Sequence, residues 1–158
     1  TTLNKYEVKL SAALKECEKH LLRLNSAFDK MKIFMPLSPE RYQQLNDAEI
    51  GHIDQYLFRF SKLQDAIGER LFKSLLLYLG EEIHNKSFID IFNRLEQLEI
   101  IENYDQWMEL REIRNELTHE YEDEPKENAD KIIKIYLLKN KLASYYLDIK
   151  RYIKNNKL

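Results

Sequence analysis

The chain has 158 residues, 44% of them hydrophobic and 33% charged, and a formal net charge of −2. This balance excludes a disordered chain, and the length predicts one domain over residues 1–158 with a sizeable core. Only three glycines and three prolines are present, too few for the turns of a many-stranded sheet. We therefore predict an all-α fold, an up-and-down helical bundle of four to five helices.

The cysteine content and the hydropathy pattern predict the cellular location of the protein. A single cysteine, Cys17, excludes an intrachain disulfide, and we expect it to be a packed core residue rather than a reactive thiol. The N-terminal segment lacks the apolar stretch of a signal peptide. No apolar run approaches the roughly 18 residues that cross a membrane. These features predict a cytoplasmic protein with no membrane contact.

The first predicted helix covers about residues 4–31, where apolar side chains recur at helical spacing. Pro36 and Pro39 then interrupt the helical pattern, because proline cannot continue a helix interior. A short turn is predicted over about residues 40–45, with Ser38 as its N-cap and Pro39 at its first position.

A second long helix is predicted from about residue 47 to residue 79, with Gly80 as its stop signal. Its apolar residues follow the three-four alternation of a buried stripe: Ile53, Leu57, Phe60, Leu63, Ile67, Leu71 and Leu75. Gly51 and Gly68 lie inside this helix, where glycine costs about 1 kcal/mol relative to alanine. A close approach of another helix, or a bend, would explain Gly68.

Capping signals divide the second half of the chain. Ser87 and Asp90 form a capping-box pattern that predicts a short helix over about residues 87–98. The segment 103–105 offers an N-cap for a helix over about residues 106–119. After an acidic loop that ends at Pro125, a last helix is predicted over about residues 126–153.

The charges are unevenly distributed along this half. Residues 81–130 contain sixteen acidic and five basic side chains, whereas residues 131–158 contain eight basic and one acidic. A basic final helix can follow a phosphate backbone. It can equally pack against its acidic neighbour or against a second copy of the chain, and we rank self-association slightly above RNA.

One octapeptide, residues 114–121, combines residue types that suit phosphodiester chemistry: Arg-Asn-Glu-Leu-Thr-His-Glu-Tyr. The guanidinium of Arg114 can clamp a phosphate through two parallel hydrogen bonds. The imidazole of His119 titrates near neutral pH and can move protons in either direction. Any helical protein can also carry these two residues by chance, as an ion pair and as a histidine favoured by the helix dipole.

Helical geometry separates the two principal residues of this motif. Leu110, Ile113 and Leu117 form a stripe that we expect to face the core, while Arg111, Asn115, Thr118 and His119 lie on another face. Arg114 and His119 are about 140° apart on a regular helix and do not converge on one point. Either the helix frays or bends before His119, or two copies contribute residues to one cleft.

The octapeptide resembles the Arg-x4-His-x-Tyr signature of HEPN-domain ribonucleases. These are small all-helical proteins, and many are encoded beside a minimal nucleotidyltransferase as toxin–antitoxin pairs. The likeness covers residue identity over eight positions and general architecture over most of the rest. It implies a single HEPN-like domain, and a homodimer formed through the motif-helix face with the active cleft at the interface.

The resemblance also implies roles for individual residues. His119 would be the general base or acid, and Arg114 would bind the scissile phosphate and stabilise the charge that grows on it. Asn115 would fix the imidazole tautomer or hold a phosphate oxygen. Arg111 lies outside the octapeptide, and we expect it to contact RNA because it shares a helix face with Asn115. Attack by the ribose 2′-hydroxyl would need no metal or cofactor. Tyr121 would accept AMP from the partner nucleotidyltransferase, a modification that silences the nuclease, or would simply pack its ring against the last helix.

The predicted function is therefore a metal-independent endoribonuclease toxin that cleaves RNA and is held in check by a nucleotidyltransferase antitoxin. A non-catalytic helical subunit that binds such a nucleotidyltransferase, or its substrate, is the main alternative. A helical dimer with an unrelated scaffolding role is a third. The remaining histidines, His20, His52 and His84, are scattered and predict no metal site.

Overall fold

The computed structural model describes residues 2–117 and 124–158, and the regular secondary structure within these two ranges is entirely helical. The helices are α1 (Thr2–Met31), α2 (Pro39–Gln43), α3 (Asp47–Asp65), α4 (Phe72–Tyr78), α5 (Phe88–Gln97), α6 (Tyr104–Glu116), α7 (Pro125–Leu137) and α8 (Lys139–Asn155), and a π-helical segment, Ala66–Leu71, joins α3 to α4. The all-α prediction is confirmed as a helical bundle. The predicted number of helices, four to five, is too low.

A single apolar cluster forms the core of the bundle. Helix α1 packs along α3, the π-helical segment and α4, while α6 contacts both α3 and α8, and α2 packs on α7. Cys17 is fully buried in this cluster, as predicted. Among the described helices, none combines the length and the apolar character that crossing a membrane requires.

The predicted capping signals are present at three helix starts. At the start of α6, the Asn103 side-chain oxygen accepts a hydrogen bond from the Gln106 N–H. The Ser38 hydroxyl accepts a hydrogen bond from the Arg41 N–H and caps α2. Ser87 and Asp90 form a reciprocal capping box at the start of α5. Each of these side chains satisfies a backbone N–H that the first helical turn leaves unpaired. Short polar patterns therefore mark these boundaries in the sequence.

The second long helix runs where it was predicted, but it is not uniform. The N–H of Phe72 bonds to the Ile67 carbonyl, five residues back, which makes the segment Ala66–Leu71 π-helical. Such segments insert one extra residue into a turn, and they occur often at functional sites. Helix α3, the π-helical segment and α4 are continuous, and we call them together the α3–α4 rod. Gly80, at a φ of +83°, ends this rod, in agreement with the predicted stop.

Gly68 lies within the π-helical segment and allows α6 to approach it. A Cβ at this position would lie only 2.8 Å from the Cζ2 atom of Trp107. The Trp107 indole is buried and wedged against the rings of Phe72 and Tyr145, with centroids 5.1 and 5.0 Å away. The close approach that the sequence suggested for Gly68 is therefore present.

Alanine at position 68 should destabilise the protein by about 1–2 kcal/mol, because the added methyl group must displace a tightly packed indole. This steric cost exceeds the gain of about 1 kcal/mol that alanine brings to a helix. Urea unfolding measures the difference. Gly51→Ala is the matched control, since a Cβ there meets nothing within 4 Å and should stabilise the chain. Equal stabilisation by both substitutions would contradict the packing argument.

The predicted last helix is wrong in one respect, because it is broken at Leu138 into α7 and α8. The Tyr56 hydroxyl, from α3, shares its single proton between the carbonyls of Ile135 at 2.8 Å and Tyr136 at 3.2 Å. A side chain that enters the helical hydrogen-bond pattern in this way provides a donor for carbonyl groups that lose their helical N–H partner at the break. No glycine or proline marks the position in the sequence.

Candidate functional site

Arg114 is held by a carboxylate from a distant helix. Its Nε and Nη2 atoms donate to the two Oδ atoms of Asp65, each at 3.1 Å, and the two side chains are 30% and 27% exposed. The hydrogen bonds to Asp65 raise the pKa of Arg114 above its ordinary value. The sequence analysis weighed an ion pair with a nearby glutamate, whereas the observed partner lies 49 residues away, at the end of α3.

This ion pair leaves part of the guanidinium available. Arginine has five N–H donors, and the bidentate pair uses one on Nε and one on Nη2. Among the residues that the structure describes, three donors of Arg114 therefore have no acceptor. Because Asp65 fixes the plane of the guanidinium, those donors are preorganised, and a phosphate can bind them without a further loss of side-chain entropy.

Three of the predicted site residues share one depression of the surface. Arg111, Arg114 and Asn115 line a cleft of about 480 Å³ between α6, the α3–α4 rod and the start of α5. We call it the main cleft. Its other lining residues are Gln64, Asp65, Gly68, Glu69, Lys73, Lys86, Phe88, Ile91 and Trp107. This volume lies within the range of about 300–1,000 Å³ that is usual for small-molecule sites.

The main cleft has an excess of positive charge. Four cationic side chains line it, together with two anionic ones, Asp65 and Glu69. Of the cations, Lys73, Lys86 and Arg111 form no ion pair with any residue that the structure describes. A cleft lined by an excess of one charge raises the local concentration of ligands of the opposite charge, here anions.

A second, smaller depression also borders the ion pair. This side cleft of about 280 Å³ is lined by Asp65, Arg114 and five further residues: Leu57, Phe58, Ser61, Lys62 and Leu117. The Phe58 side chain is 49% exposed and interacts with the Lys62 ammonium, which lies 5.5 Å from its ring centroid. The Asp65–Arg114 pair thus borders two surfaces, one cationic and one partly apolar.

The motif helix presents its residues partly as predicted. Leu110 and Ile113 are buried and Leu117 packs against the core, which confirms the apolar stripe. Helix α6 ends at Glu116, whose carbonyl accepts a hydrogen bond from the Lys131 ammonium at 2.6 Å. The predicted proton donor or acceptor, His119, and the predicted modification site, Tyr121, lie outside the described residues.

Two polar residues of the site were missed in the sequence. Gln64 and Asp65 are adjacent on α3 and immediately precede the π-helical segment. Gln64 falls on the buried side of the rod, among Phe60, Leu63 and Ile67, and only 3% of it is exposed. A polar residue inside an otherwise apolar stripe is the signal that marks it.

No family model, curated protein or solved structure matches this chain.

Proposed function

We propose that the protein is a metal-independent endoribonuclease of the HEPN type, with Arg114 and His119 as its catalytic residues. The observation that carries this proposal is the guanidinium of Arg114, which pairs with Asp65 and lines a cleft with an excess of positive charge. Within the described ranges, three of its donors and the other cations of the cleft have no anionic partner. An oriented, partly dehydrated arginine is suited to stabilise charge on a phosphate. Asn115 and Arg111 line the same cleft and contact the RNA backbone.

The reaction follows from these groups. The ribose 2′-oxygen attacks the adjacent phosphorus, a new O2′–P bond forms, and the P–O5′ bond breaks. His119 removes the proton of the 2′-hydroxyl or delivers one to the departing 5′-oxygen. Negative charge grows on the non-bridging oxygens in the transition state, and Arg114 donates hydrogen bonds to them. The products are a 2′,3′-cyclic phosphate and a 5′-hydroxyl.

A homodimer completes the site in this proposal. Arg114 and His119 diverge by about 140° on a regular helix, so the second copy supplies the partner residue across a two-fold interface. The side cleft supports this arrangement, because its exposed Phe58 and half-buried Leu57 and Leu117 border the Asp65–Arg114 pair. Burying these side chains in the interface would bring the motif helices of the two copies together.

In the cell, the nuclease would act as a cytoplasmic toxin under the control of a minimal nucleotidyltransferase antitoxin. Transfer of AMP to Tyr121 would place a bulky anion close to Arg114 in the sequence, where it would compete with RNA phosphate for the guanidinium. This part of the proposal depends on the octapeptide alone.

One observation favours the alternative, a non-catalytic subunit that binds the nucleotidyltransferase or its substrate. Arg114 already has a bidentate carboxylate partner, and a structural ion pair alone would account for its position. In that case the main cleft would bind a partner without chemistry.

Cleavage of bulk RNA by the purified protein in EDTA separates the two functions. The nuclease proposal predicts cleavage at the same rate in EDTA as in magnesium buffer, since no step requires a metal. Cleavage only with added divalent ions would contradict it, and absence of cleavage in both buffers would favour the binding subunit.

A further inference from the structure

The floor of the main cleft contains a buried amide with unused hydrogen-bonding capacity. Gln64 lines the cleft and is 3% exposed, yet its Oε1 atom accepts no hydrogen bond from any residue that the structure describes. Buried polar side-chain atoms are nearly always paired, and an orphan calls for a partner. Rotation of the amide by 180° exchanges its oxygen and nitrogen, so Gln64 can offer either an acceptor or donors.

An aromatic wall lies in the same cleft. The rings of Phe88 and Trp107 are nearly parallel, with centroids 6.0 Å apart and an interplanar angle of 23°. Gly68 leaves the space that the indole occupies. The guanidinium carbon of Arg111 lies 5.8 Å from the centroid of the Phe88 ring. Aromatic rings and guanidinium planes are the surfaces on which proteins stack nucleobases.

Cationic side chains, which can bind a phosphate, line the same cleft. Lys73 comes from α4, Lys86 precedes α5 and Arg111 comes from α6, so three different parts of the chain direct unpaired cations to one cleft. The oriented Arg114 lines it as well. A single ligand that carries a planar ring with a polar edge and a phosphate matches all of these features.

We propose that the main cleft binds one nucleotide of the RNA next to the cleaved bond, and that Gln64 selects its base. The base displaces the exposed Arg111 guanidinium from the Phe88 ring and stacks there. Its polar edge pairs with the Gln64 amide, and its phosphate contacts Lys86 and the displaced Arg111. This inference rests on the proposed nuclease function for its meaning, but nucleotide binding itself can be measured without cleavage. Glutamine is well suited to such selection, because its amide can form two hydrogen bonds with one base edge.

The only tryptophan of the chain, Trp107, provides the readout. Full-length His119→Ala protein is titrated with each of the four ribonucleoside 3′-monophosphates while tryptophan fluorescence is followed. We expect a saturable change in fluorescence, with dissociation constants that differ among the four nucleotides by about tenfold or more. Gln64→Leu should remove most of this difference. Gln43→Leu, on the exposed surface of α2, is the matched control and should leave it unchanged.

A second variant tests the phosphate contact independently of the buried amide. Lys86→Ala changes an exposed side chain, and we expect it to weaken binding of all four nucleotides about tenfold without altering their order. No saturable fluorescence change, or a base preference that survives Gln64→Leu in folded protein, would overturn the inference. If nucleotide binding depends on Gln64 but the unsubstituted protein cleaves no RNA, the inferred nucleotide site is supported and the proposed nuclease function is refuted.

Discussion

Alanine at His119 should lower RNA cleavage about 10²–10⁴-fold, the usual contribution of a general acid or base. Alanine at Arg114 should lower it about 10²–10³-fold, the usual effect of removing a donor that stabilises transition-state charge. The two effects should appear in the maximal rate more than in substrate affinity, because both groups act chiefly on the transition state.

The matched control for Arg114→Ala is Arg151→Ala. Arg151 also forms an ion pair, with Asp148 at 3.0 Å, but it lies on the exposed surface of α8. Its loss should leave cleavage unchanged, since exposed ion pairs contribute only about 0–1 kcal/mol to stability. Circular dichroism checks that all three variants remain helical. Activity that survives both the Arg114 and the His119 substitutions would place the nuclease elsewhere, in another site or another protein.

Asparagine at Asp65 should lower cleavage about 10²-fold while the protein stays folded. Asparagine has the same shape but one acceptor oxygen, so the bidentate grip on Arg114 is lost and its donors are no longer held in place. Misplacement of a catalytic group by about 1 Å costs about this factor. An increase in cleavage would contradict this positioning role. If Asp65 merely competed with phosphate for Arg114, the substitution would increase cleavage.

Glu69→Gln is the control that separates positioning from charge. Glu69 lines the same cleft and carries the same charge, but its carboxylate contacts Arg70 at 3.3 Å rather than Arg114. A loss of activity confined to Asp65→Asn would establish the positioning role. Equal effects of the two substitutions, in either direction, would show that only the electrostatic potential of the cleft matters.

The parts of the fold that were predictable from sequence are those set by local chemistry. Ser38 and the Ser87–Asp90 pair act within three residues of themselves, and Gly80 ends its helix through its own backbone angle. The break at Leu138 was missed, because the hydroxyl that stabilises it comes from Tyr56, 79 residues away from Ile135. The π-helical segment was also missed, since its residues follow the same apolar spacing as the helix around it; within it, Gly68 packs on Trp107, which lies 39 residues further along the chain.

The residues of the candidate site likewise differ in whether the sequence can predict them. Arg111, Arg114 and Asn115 lie within five residues on one helix, so a motif can bring them together before any tertiary structure is known. Asp65 and Gln64 come from α3, and no spacing rule connects them to α6. Only the packing of the two helices reveals that a carboxylate binds the arginine and that the neighbouring Gln64 lacks a partner for its Oε1 atom among the described residues.

The central claim is that this chain cleaves RNA by attack of the 2′-hydroxyl without a metal, and the product ends of the reaction in EDTA test it most directly. Our account predicts 2′,3′-cyclic phosphates and 5′-hydroxyls, and no cleavage where the attacking ribose carries a 2′-O-methyl group. Products with 5′-phosphates and 3′-hydroxyls, or cleavage next to a 2′-O-methyl ribose, would contradict it.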